Sequence, residues 1–335
     1  VLSRVADSIY WVSRYIERSE NIARFIDVNL RLALDLPPGT GEQWEPLVLI
    51  TADLPLFNQH YDVPNQANII EFLTFDEDNP NSVARCLAAA RDNARSVREA
   101  ISSEVWEQLN RFYHLFRTAQ FRSLVATDPY TFFSRIRQES LLFAGIVDAT
   151  MSHDEGWHFA RLGRQLERAD KTSRMLDVKY FLLLPAVSDV GTPLDDLQWS
   201  ALLRSASALE AFRKRYGRIS PKRVAEFLLL DRYFPRSIRH CLLEAQDSLR
   251  ILSDSSVGNF ANVAEQRLGR LTSSFNYAAV SEIIAAGLHQ FLDSFQRDLN
   301  EVGDAIFATF FARRPDFDPG GRLWQIQAAA AQSQS

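Results

Sequence analysis

Apolar or small side chains recur at alternating intervals of three and four residues through Val5, Ile9, Val12, Ile16, Ser19, Ala23, Ile26 and Leu30. That spacing predicts one long helix with a continuous buried stripe. A second long helix is predicted from about 154 to 181, with Ser152-x-x-Glu155 as a capping box ahead of it. The segment 45–50 could pass for a strand by composition alone. Its relative further along the chain, 200–212, carries Ala, Leu, Ser and Glu at helical spacing, so both are assigned helix. Thr40-x-x-Gln43 and Asp195-x-x-Gln198 supply N-caps for that pair. Asn65 and Ser220 cap a third helix, with Pro221 at the first position of the second example. Pro80 and Pro235 start a fourth, whose buried face is Val83, Cys86, Ala90, Ala94 and Val97; Ser103 and Asp128-Pro129 begin two more.

Those pairings reflect an internal repeat. Arg14-x-x-Glu17-Arg18, with Arg24 and Asp27 after it, recurs as Arg164-x-x-Glu167-Arg168 with Arg174 and Asp177, an offset of 150 residues. Glu71-Phe72-Leu73, Asp76, Pro80, Ser82 and Cys86 recur as Glu226-Phe227-Leu228, Asp231, Pro235, Ser237 and Cys241, an offset of 155 residues. Gln43-Trp44 matches Gln198-Trp199 at that same offset, which places a five-residue insertion near 184–193. The likeness fades after about residue 98. The expected fold is all-α: a tandem-duplicated antiparallel helical bundle of about six helices per copy. The copies are expected at 1–150 and 151–312, with 313–335 a mobile tail rich in Pro, Gly, Ala and Gln.

Composition adds exclusions. A net charge of −5 argues against a general nucleic-acid binder. The longest apolar runs are too short to span a bilayer, and charges interrupt the N-terminus where a signal peptide needs its apolar segment. Two cysteines without Cys-x-x-Cys spacing fit a reduced compartment. The expectation is a cytoplasmic protein with no membrane or nucleic-acid partner. Neither a phosphate-binding loop nor a dinucleotide fingerprint is present, and His153 and His158 are spaced wrongly for a shared zinc site, so no cofactor and no metal are expected.

The chemistry worth testing lies on the two long helices. Tyr10, Arg14, Glu17, Asn21, Arg24 and Val28 form a stripe opposite the apolar one, and Arg164, Glu167, Lys171 and Arg174 repeat it. One reading is a structural ion-pair network comprising Arg14, Glu17, Arg18, Arg24, Asp27, Arg164, Glu167, Arg168, Arg174 and Asp177. The other is a polar pocket at the junction of the copies, with arginines binding an anion and Glu17 or Glu167 acting as acid or base. The ion-pair reading is favoured, because such networks are common without catalysis. Arg91, Arg95 and Arg98 form a second basic stripe that could dock a carboxylate-rich partner.

The stretch from Leu2 through Arg24, with Leu162-Gly-Arg-Gln-Leu-Glu-Arg-Ala-Asp170, resembles the bacterial Alpha-E family, named for an all-α domain with a Glu-Arg motif. Val1 stands where that family usually begins with methionine, which a GTG start would explain. The resemblance implies a genetic association with circularly permuted ATP-grasp proteins and transglutaminase-like proteins. It implies no established activity. The leading expectation is therefore a non-catalytic helical partner of an ATP-grasp amide ligase in peptide synthesis or modification. The alternatives are an acid–base or hydrolytic enzyme of the same pathway, or an anion- or carboxylate-binding module.

Overall fold

A computed structural model describes residues 2–35, 44–181 and 192–312. The insertion near 184–193 and the tail 313–335 fall largely or wholly outside those residues, as does the Thr40-x-x-Gln43 cap. The described chain is all-α, without a strand. The first half runs α1 (Ser3–Asp35), α2 (Glu45–Thr51), α3 (Leu54–His60), α4 (Gln66–Thr74), α5 (Val83–Ser96), α6 (Ser103–Arg117), α7 (Ala119–Thr127) and α8 (Pro129–Thr150). The second runs α9 (Glu155–Phe181), α10 (Pro193–Ser205), α11 (Leu209–Tyr216), α12 (Pro221–Leu230), α13 (Ile238–Leu252), α14 (Val263–Asn276), α15 (Val280–Ala286) and α16 (Leu288–Ile306). Each half thus has eight α-helices among the described residues, against the six expected. Short elements such as α3 and α7 complete too few turns to register as a periodic stripe.

Several helix starts differ from expectation. Asp154, not Ser152, caps α9, its Oδ1 accepting from the Gly156 N–H at 2.9 Å. Thr192 caps α10 through the Asp195 N–H, so Asp195 lies in the first turn. Ser220 holds the cap position of α12 without a side-chain bond, although Pro221 does open the helix. Ser82 and Ser237, rather than Pro80 and Pro235, cap α5 and α13. Ser103 opens α6 as expected, with the Ser102 hydroxyl as its cap. Apart from Ser220, each of these caps is a hydroxyl or carboxylate that reaches an otherwise unsatisfied N–H, and proline cannot do this.

The central feature is the pair α1 and α9. Ile9 lies near Gly156, Tyr10 against Gly163 and Arg14 against Glu167, while Val28 and Val178 line one cavity further along. The two helices therefore run parallel, which departs from the antiparallel packing expected of neighbours. Parallel neighbours need a long return connection, and α2–α8 provide it. Antiparallel packing holds around this pair. Tyr130 and Arg137 of α8 meet Leu30 and Asp27, and Ser96 of α5 reaches Ser8. Likewise Ser248 and Asp247 of α13 meet His158 and Arg161, and His289 of α16 meets Asp177. Enclosed on every side, α1 buries its polar stripe as well as its apolar one.

The two halves carry matching aromatic clusters. Phe57, Tyr61 and Phe72 pack ring on ring, with Phe57–Tyr61 at 5.1 Å and Phe57–Phe72 at 5.3 Å. Phe212, Tyr216 and Phe227 do the same 155 residues on, at 5.0 and 5.7 Å. Trp44 and Trp199 are both buried, and the apolar core is one continuous cluster spanning both halves. No helix among the described residues is long and apolar enough to cross a membrane.

The α1–α9 crossing is close because Gly163 lacks a side chain: a Cβ there would sit 2.4 Å from the Tyr10 carbonyl oxygen. Gly163→Ala is expected to cost about 1–3 kcal/mol in chemical denaturation. Gly145→Ala, in the interior of α8 with nothing within 4 Å of the new Cβ, should instead stabilise by roughly 0.5–1 kcal/mol.

Candidate functional site: the crossed Glu-Arg pairs

Parallel packing brings the two Glu-Arg motifs to one level, where each glutamate faces the other helix. Glu17 accepts from Arg168 Nε at 2.9 Å and Nη2 at 2.7 Å, a bidentate fork. Glu167 accepts from Arg18 Nε at 2.7 Å and Nη2 at 3.0 Å, and from Arg14 Nε at 2.9 Å. Glu17 is 6% exposed and Glu167 fully buried. Burial by itself would raise both carboxyl pKa values. Arg168 and Arg236 around Glu17, and Arg18 and Arg14 around Glu167, reverse the effect and hold both well below the usual carboxylate range. The partners respond in kind. Burial opposes the charge on Arg18 and Arg168, but the facing glutamates raise both above the ordinary arginine value.

The remaining expected site residues take other places. Arg24 pairs with Glu20 on its own helix, and Arg174 with Asp170 at 2.9 Å. Asp27 leaves the network to clasp Arg137 of α8 at 3.0 Å and Arg31 at 3.2 Å. Asp177 makes the equivalent clasp to His289 of α16 at 2.7 Å. Arg164 is the odd member. Its counterpart Arg14 binds Glu167, yet Arg164 reaches only Asp148, at 3.7 Å, and its buried Nε has no hydrogen-bond partner.

The place Arg164 leaves is taken by Arg236, which the sequence reading did not single out. Its Nη1 donates to Glu17 at 2.8 Å and to Asn21 at 3.0 Å, and its Nη2 donates to Glu20. At the 155-residue offset the counterpart of Arg236 is Asn81, which accepts from Arg18 and donates to Asp53 at 2.7 Å. At the 150-residue offset the counterpart of Asn21 is Lys171, which pairs with Asp170 at 3.2 Å. Both asparagines of the first half are thus replaced by cations in the second, so that Glu17 has Asn21 and Arg236 beside it while Glu167 has Lys171 beside it and Asn81 behind its partner Arg18. That double replacement was the available signal.

Little open space touches the two glutamates themselves. Between α1, α8 and α9, a cavity of about 20 Å³ reaches Glu17, Arg164 and Arg168, room for roughly one water molecule. On the opposite side, a cavity of about 390 Å³ between α1, α9 and α16 is lined by Tyr10, Arg14, Asp170, Asn300 and Asp304. Its arginine is already bound to Glu167 and to the Tyr10 hydroxyl at 3.1 Å. The second basic stripe is also engaged. Arg91 donates to Asn110 at 2.8 Å and lies over Tyr113, Arg98 lies over Trp106, and exposed Arg95 is 3.7 Å from Asp92.

His153 stacks on Trp157 and His158 is buried against Ser248, so neither faces a cluster of donors. Among the described residues, His60, Asp76 and Asp78 bring three donor atoms within 4.8 Å. The corresponding pair in the second half, Arg215 and Asp231, is an ion pair, and Tyr61 already donates to Asp76 at 3.1 Å. Cys86 and Cys241 sit at equivalent positions beneath the network, fully buried, and burial pushes each thiol up to about 12.

A helical protein whose two long parallel helices exchange buried Glu-Arg pairs is the class defined by this geometry. The family model described as "a predicted alpha-helical domain with a conserved ER motif" matches residues 1–311, and the chain belongs to that family, Alpha-E. It is also 24% identical over 348 aligned residues to uncharacterised proteins of Mycobacterium bovis and of two Mycobacterium tuberculosis strains. The alignment covers 96% of this chain but only 38% of each relative's length. No solved structure matches.

Glu17→Gln or Glu167→Gln leaves buried guanidinium groups without their counter-charge, and a loss of about 3–5 kcal/mol is expected by denaturant titration at pH 7. Because both folded pKa values are depressed, the stability these groups contribute is complete above the unfolded carboxylate value of about 4.3. It disappears as pH falls below that value toward the folded ones. Calorimetry should show a melting temperature nearly flat from neutral pH to about pH 5 and falling steeply below; in either variant that acid limb should be shallower. Both thiols should resist Ellman's reagent in the native protein and react only on unfolding.

Proposed function

We propose that the chain is a non-catalytic helical partner in an ATP-grasp amide-ligase system for peptide synthesis or modification, working in the cytoplasm. The observation that carries the non-catalytic part is the saturation of Glu17 and Glu167. Each accepts from at least two guanidinium groups and is held ionised in a nearly closed site. A general acid or base needs a pKa near the working pH and reach to a substrate proton; these groups have neither. The ligase partnership rests on the gene association that the family resemblance implies, an associational warrant. We also read the chain as a duplicated unit, first copy to about residue 150 and second from there to about 312, on the strength of the offset motifs and the matching aromatic triads.

Co-expression with an ATP-grasp protein of the kind the family resemblance implies should give a complex that survives size-exclusion chromatography and changes the ligase rate. Separate elution with an unchanged rate would overturn the partnership. Turnover of a peptide or amide by the isolated chain, lost in Glu17→Gln, would overturn the non-catalytic reading.

A further inference from the structure

Outside the Glu-Arg pairs, an open groove of about 960 Å³ lies between α13, α14 and the connection joining them. It exists because the second half lacks what fills the equivalent space in the first. Between α5 and α6, Arg91 lies 4.8 Å over the Tyr113 ring and 5.7 Å over Trp106, with its Nε on Asn110. The buried face of α6 (Val105, Leu109, Phe112, Phe116) matches that of α14 (Ala264, Leu268, Leu271, Phe275) at an offset of 159 residues. In that register Trp106, Asn110 and Tyr113 become Glu265, Gly269 and Thr272, while at the 155-residue offset Arg91 becomes Gln246. The connection is also four residues longer (ten between α13 and α14, against six between α5 and α6). Its added length carries Val257 and Phe260, 79% and 58% exposed, as an outer wall.

The charges in the groove are unevenly spent. Glu244 is held by Arg161, and Asp247 by Arg161 and Arg250. Glu265 accepts from the Ser255 hydroxyl and, at 2.6 Å, from the Ala261 N–H. Arg232 and Arg270 also line the groove, and neither has a carboxylate partner among the described residues. Beside Arg232, Tyr233 is 81% exposed. Two unspent guanidinium groups, the amides of Gln246 and Gln266, and exposed aromatic rings form a surface suited to carboxylates on an extended chain.

We propose that this groove binds an extended acidic segment of a partner protein, its carboxylates on Arg232 and Arg270 and its apolar side chains against Tyr233 and Phe260. The proposal rests on the reading of the chain as a docking partner and names the surface that docks. The test is fluorescence anisotropy of the full chain with a short labelled peptide alternating Glu and Tyr, and with its Lys-for-Glu counterpart. Saturable binding of the acidic peptide alone is expected. It should weaken at least about tenfold when Arg232→Glu and Arg270→Glu are combined, since each removes a charge-assisted contact and adds repulsion. Gly269→Trp should abolish it by filling the groove. A Cβ at Gly269 meets only the Gln246 amide nitrogen at 3.5 Å, an ordinary contact, so the variant should keep its melting temperature. No saturable binding, equal binding of the Lys peptide, or binding indifferent to both variants would overturn the proposal. A ligase complex that tolerates both variants would remove the groove and leave the partnership; peptide binding without a ligase complex would do the reverse.

Discussion

Two charge pairs exchanged between parallel helices constrain everything around them. Taking Glu17, Glu167 and their arginines out of water is expensive, and Coulomb attraction compensates only when every lone pair finds a donor. Here the forks of Arg18 and Arg168 supply those donors, supplemented by Arg14 on one glutamate and by Arg236 and Asn21 on the other. Such an arrangement tolerates only one relative register of α1 and α9. A slip by one residue would turn a carboxylate toward apolar neighbours. The network therefore acts less as a source of net stability than as a specification of how the two halves meet.

That specification explains the close crossing at Gly163 and the burial of both faces of α1. It also explains why the last helix of each half is tied back by an acidic residue of the central pair, Asp27 to Arg137 and Asp177 to His289. Glu17 and Glu167, held ionised by the arginines around them, carry no proton to give near neutral pH. On the reading proposed above, recognition of other molecules falls to the periphery, where the halves differ. The α13–α14 groove is such a difference, opened by the loss of an arginine–aromatic stack.

Much of the arrangement was legible in the residues. The long stripes of α1 and α9 and the buried face of α5 follow from spacing, which reports local geometry directly, whereas the helical state of 45–50 was legible only through its relative at 200–212. The Glu-Arg residues were legible as a set, and as an ion-pair network more than as a catalytic pair. Arg236 was not, because it lies in a turn 219 residues from Glu17 and no local periodicity connects them. The helix starts at Ser82 and Ser237 were obscured by nearby prolines, which mark a turn but cannot cap.

The sequence by itself determined that the chain is helical, that its two halves share a motif, and that the motif carries charges on a helix face. Only the tertiary structure decided that α1 and α9 run parallel, that each glutamate is answered from the opposite helix, and that Arg164 is displaced by Arg236. The reason is physical. Periodicity fixes which residues share a face, but desolvation and three-dimensional proximity decide which charges must neutralise one another. The doubled Glu-Arg motif announces a pair of helices; its crossed pairing exists only once they are packed.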